Sequence, residues 1–63
     1  MKQHEAISLI EAWIAEQSPY AAHVVEVTPG EQGAWVVLIE CSALTWQQRV
    51  SPDGRVSAPE MRD

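Results

Sequence analysis

The chain has 63 residues, with nine acids against four bases and a formal net charge of −5. A chain this short removes only about 60% of its unfolded surface from water on folding, so it builds one small core of marginal stability with little room for a cleft. The bases Lys2, Arg49, Arg55 and Arg62 do not cluster, which excludes an electrostatic footprint for direct nucleic-acid binding, and no apolar run approaches the roughly 18 residues of a membrane span.

Between residues 3 and 17 the apolar side chains of Ala6, Ile7, Leu9, Ile10, Trp13 and Ile14 fall in one arc at 100° per residue, and Glu5, Ser8, Glu11 and Glu16 lie opposite. This predicts a surface helix with one buried face, ended by Ser18-Pro19 because proline disfavours helical geometry in the residue before it. After the linker Pro19-Tyr20-Ala21, the β-branched run 22–27 predicts a first strand, closed by the glycine-containing loop 28–33.

The second strand is expected over 34–41, where Trp35, Val37, Ile39 and Cys41 alternate with Ala34, Val36, Leu38 and Glu40. Both of its faces are apolar. After Ser42-Ala43, residues 44–50 predict a third strand with Leu44, Trp46 and Val50 on one face and Thr45, Gln47 and Arg49 on the other. Ser51-Pro52-Asp53-Gly54 reads as a turn, proline sitting where its fixed φ helps and glycine where φ is positive. A short fourth strand over 55–58 follows, and the polar residues 59–63 read as a frayed tail. The expectation is a single α+β domain over 1–58, one N-terminal helix packed on a three- to four-stranded antiparallel β-meander.

The catalytic inventory is thin. His4 and His23 fall in different elements and no motif pairs either with a serine or cysteine nucleophile. His4, Glu5, His23, Glu40 and Cys41 lack the spacing that converges ligands on a metal, and Gly30 and Gly33 do not open a helix as a phosphate-binding loop does. Glu11 and Glu16 lie on a solvated helix face, unlike the desolvated carboxylate of a glycosidase. The sequence therefore predicts no enzyme, no cofactor and no metal. Cys41 is the only cysteine, so no intramolecular disulfide forms, and a reducing cytoplasm is the expected compartment.

Glu5-Ala6-Ile7 at the helix start, paired strands over 23–27 and 34–40, and the closing turn Val50-Ser51-Pro52-Asp53-Gly54-Arg55-Val56 resemble the PepSY family, whose helix precedes a three-stranded meander closed by a Val-x-x-x-x-Gly-x-Val turn. The resemblance covers nearly the whole chain. It implies a non-catalytic inhibitory or regulatory module and brings no catalytic residues.

A helix covers only one face of a sheet, so the second apolar row of strand two calls for a partner or a dimer seam. The expected function is a small protein-interaction module that binds a protein partner or itself through the open sheet face, with Val36, Leu38, Thr45 and Gln47 as contacts. The alternative is a dedicated acidic inhibitor, of phage anti-defence or immunity type, that occludes a basic site on an effector. A small-molecule carrier or minor enzyme, with Tyr20, His23 and Cys41 around a pocket, is a third reading. Core packing is the expected role of Trp13, Trp35 and Trp46.

Overall fold

A computed structural model of the chain describes residues 1–17, 21–42 and 44–61. It has one helix followed by a four-stranded antiparallel sheet in the order β1-β2-β3-β4. The elements are α1 (Gln3–Glu16), β1 (His23–Pro29), β2 (Trp35–Cys41), β3 (Leu44–Val50) and β4 (Glu60–Met61), with a single 3₁₀ turn at Glu31–Gly33. Among the described residues, no helix is long and apolar enough to cross a membrane. The expected helix stop at Ser18-Pro19 lies outside the described residues.

Helix α1 forms where the apolar period of the sequence demands it. Ala6, Ile10 and Ile14, spaced by four, are buried along its inner face, and Leu9 and Trp13 pack beside them. Lys2 offers no side-chain cap, but its backbone N–H donates to Glu5 Oε1 at 2.9 Å, and Glu5 places a negative charge at the positive end of the helix. The last turn carries no base, so the carbonyl end has no matching charge.

Strand β2 settles which row the helix covers. Val37 and Ile39 are fully buried and join Ala6, Ile10, Ile14 and Val50 in one cluster. Each of the fully buried valine and isoleucine side chains among them contributes about 1.5–3 kcal/mol relative to exposure. Trp13, Trp35 and Trp46 are half-buried and pack around that cluster, in the packing role expected of them.

Strand β1 contains a feature that simple alternation does not suggest. Val24 pairs with Ile39 and Val27 with Val37, so three steps on β1 match two on β2. The extra residue, Val25, is accommodated as a β-bulge and is 52% exposed. The bulge brings both Val24 and Val27 to the helix side and turns Glu26 outward. Strand β1 also runs two residues beyond the expected 22–27, to Pro29, which is tolerated because β1 is an edge strand.

The fourth strand differs from the expected 55–58. The turn forms as read, with Gly54 N–H donating to the Ser51 carbonyl at 2.9 Å and Gly54 at φ +91°. Beyond it only Val56 bridges to Val50, and regular pairing resumes at Glu60–Met61, opposite Gln47 and Trp46. Pro59, between the Val50–Val56 bridge and the Glu60–Met61 pairing, has no N–H with which to extend the ladder. The chain past Pro59 thus adds to the sheet edge as far as Met61, and Arg62 and Asp63 lie outside the described residues.

Ser57 holds the intervening segment to β3 by three bonds. Its N–H donates to the Arg49 carbonyl at 2.8 Å, its Oγ accepts from the Arg49 N–H at 2.7 Å, and its carbonyl accepts from Gln48 Nε2 at 3.0 Å. Gln48 is 1% exposed and sits opposite Val37 on the helix face, with its Oε1 accepting from Trp46 Nε1 at 2.9 Å. A buried amide is tolerated here because both ends are bonded. Replacing Gln48→Leu leaves the Trp46 indole N–H and the Ser57 carbonyl without these partners. The expected loss is about 1–3 kcal/mol in urea unfolding; an unchanged midpoint would show that the amide network is dispensable.

Candidate functional site

The face of the sheet away from α1 is built by cross-strand register. Val36 stands between Thr28 and Arg49, Leu38 between Glu26 and Gln47, and Glu40 between His23 and Thr45. Glu60 extends the middle row beyond Gln47. The four residues expected as contacts, Val36, Leu38, Thr45 and Gln47, therefore share one face and adjoin one another across β2 and β3.

All four are half-buried rather than fully exposed. Val36 is sheltered by the return of the chain at Gly30, where an added Cβ would lie 3.2 Å from Val36 Cγ2. Thr28 Oγ1 donates to the Val36 carbonyl at 3.5 Å, which ties the edge strand down beside it. His23 Nε2 lies 3.8 Å from Glu40 Oε1 at the other end of the face, an exposed contact that adds little stability.

A second feature escaped the sequence. Trp13, Ile14, Ala22, Cys41, Leu44, Trp46, Pro59 and Met61 line a groove of about 350 Å³ between the carbonyl end of α1 and the β2–β3 hairpin, and its walls are almost wholly carbon. Leu44 and Met61 on its rim are 55% and 60% exposed. The alternation of Leu44 and Trp46 hinted at this wall. Met61 was not legible, because its place depends on β4 pairing with Trp46 across a break in the ladder.

The chemistry available is that of contact surfaces. His23 lies on the open face and Cys41 on the helix side lining the groove, so the pair named for a carrier pocket does not converge; Tyr20 lies outside the described residues. Among the described residues, no three or more His, Cys, Asp or Glu side chains converge closely enough to hold a metal ion. Serine 57, the most heavily bonded hydroxyl, is occupied in holding the 51–57 segment to β3.

Compared with protein-family models, curated proteins and solved structures, the chain matches none.

The exposure of the groove rim sets an expectation for its energetics. Leu44→Ser and Met61→Ser should each shift stability by no more than about 0.5 kcal/mol, as at other surface positions. Ile39→Ala, in the closed core, should remove about 2–5 kcal/mol. Urea titrations of the three variants compare them; losses at Leu44 and Met61 as large as at Ile39 would mean that the groove is closed in solution.

Proposed function

We propose that the protein is a small non-catalytic interaction module that binds a protein partner, or a second copy of itself, through the open face of its sheet. The observation that carries the reading is the pair Val36 and Leu38, adjacent on the face that α1 leaves uncovered. An antiparallel sheet facing water ordinarily alternates apolar with polar residues, and β2 does not. Thr45 and Gln47 adjoin the pair and complete an apolar centre with a polar margin, the anatomy of a small recognition surface.

One further consideration favours this class. The resemblance to PepSY-type modules points to inhibition or regulation rather than catalysis. The free thiol of Cys41 is compatible with a reducing compartment, and a cytoplasmic setting is part of this proposal.

The test is a double substitution, Val36→Asp with Leu38→Asp, followed by co-purification from source cells and by sedimentation. The expected outcome is loss of whatever the native protein retains, partner or copy, by more than about tenfold, as for truncation of a central anchor. Circular dichroism should report an intact fold, since neither side chain belongs to the closed core. Binding and assembly unchanged in a folded double variant would contradict the assignment.

A further inference from the structure

The charges around Val36 and Leu38 say which occupant the face accepts. Cross-strand pairing places Glu26, Leu38, Gln47 and Glu60 in one row, and Glu40 follows Leu38 by two residues on the same face. Neighbouring strands lie about 4.8 Å apart and successive same-face residues about 6.8 Å apart. Leu38 therefore has a carboxylate beside it on β1 and another along β2, while Glu26 and Glu60 bracket the row about 14 Å apart. Among the described residues, Arg49 is the only arginine or lysine that the register places on this face.

Resting on the reading of the face as a docking surface, we infer that its occupant is a basic protein segment carrying an aliphatic residue between arginines or lysines, and not a second copy of this chain. Self-pairing about a two-fold axis would bring six glutamates against two arginines. Sheets packed face to face lie about 10 Å apart, a distance comparable with the roughly 8–10 Å over which physiological salt screens charges, so the repulsion would be only partly screened. The face is also too small to hold a dimer alone. Three rows by four strands span about 20 by 15 Å, or about 300 Å², against about 800 Å² per partner in a stable interface.

A basic segment reverses the electrostatic sign. Its cations meet Glu26, Glu40 and Glu60, its aliphatic side chain meets Val36 and Leu38, and the net charge of −5 steers it inward. The small area makes the contact transient and dependent on salt.

The probe is a blocked peptide, Thr-Arg-Thr-Leu-Thr-Arg-Thr. In an extended strand its arginines stand about 14 Å apart on the face that carries leucine, matching the Glu26 to Glu60 span. The control replaces both arginines by glutamate. Each is titrated into ¹⁵N-labelled protein, and native protein is sedimented in parallel. Three proteins are compared: native, the triple variant E26Q/E40Q/E60Q, and V36T/L38T, whose threonines keep strand propensity without adding charge.

The expected result is that the basic peptide shifts the amides of Glu26, Leu38, Gln47 and Glu60 and the acidic one does not. The triple variant and a rise from about 50 to 300 mM salt should each weaken binding about fivefold. The native protein should sediment as a monomer.

Equal binding of the acidic peptide, unchanged affinity of the triple variant, or no shifts at these residues would overturn the basic partner. A native dimer dissolved by V36T/L38T would overturn it too, while leaving the face as the docking surface with a copy as occupant. Unchanged binding of the basic peptide to V36T/L38T would overturn both readings, because the charge would then act elsewhere.

Discussion

Everything in this fold hangs on β2. Residues 35–40 pair with β1 on one side and all seven residues of the strand pair with β3 on the other. Its Val37 and Ile39 form the floor on which α1 lies, and Val36 and Leu38 point the opposite way. A single amphipathic helix has one apolar stripe and cannot serve both rows. The helix commits to the row with Val37 and Ile39, and that choice leaves the other row as the surface available for recognition.

The remaining structure adapts to this commitment. The bulge at Val25 supplies the extra residue that brings both Val24 and Val27 over the core, and it turns Glu26 toward the open face. Such a bulge also discourages a further strand from pairing along β1. At the opposite side of the sheet, the Trp46–Gln48–Ser57 chain of hydrogen bonds fastens the 51–57 segment, so that Glu60 and Met61 return to β3 after the proline interruption. The acidic rim of the open face is thus a product of packing at both edges of the sheet.

The helix, three long strands and the turn at Gly54 were legible because each rests on a local signal: a 3.6-residue apolar period, alternation with β-branched residues, or a proline and glycine at fixed turn positions. The four contacts Val36, Leu38, Thr45 and Gln47 were legible as one face for the same reason, since strand alternation fixes facing once the strands pair. Which face the helix would take was not legible. A one-residue slip exchanges the two apolar rows of β2, and only the match of Ala6, Ile10 and Ile14 to Val37, Ile39 and Val50 decides it. Gln48 was invisible as a core residue because its burial depends on two partners, one nine residues away. The displacement of β4 likewise depends on Ser57 and Pro59 acting together, and the groove beneath Met61 follows from it.

Strand β2 keeps one apolar row under the helix and presents the other on the uncovered face. Cysteines placed singly at positions 36, 37, 38 and 39 in a Cys41→Ala background, each reacted with a small thiol reagent under native conditions, measure this directly. Val36→Cys and Leu38→Cys are expected to react within about tenfold of an exposed thiol. Val37→Cys and Ile39→Cys should react at least about a hundredfold more slowly, through opening of the core. Equal protection at all four positions would contradict this arrangement, because the second row would then be covered as completely as the first.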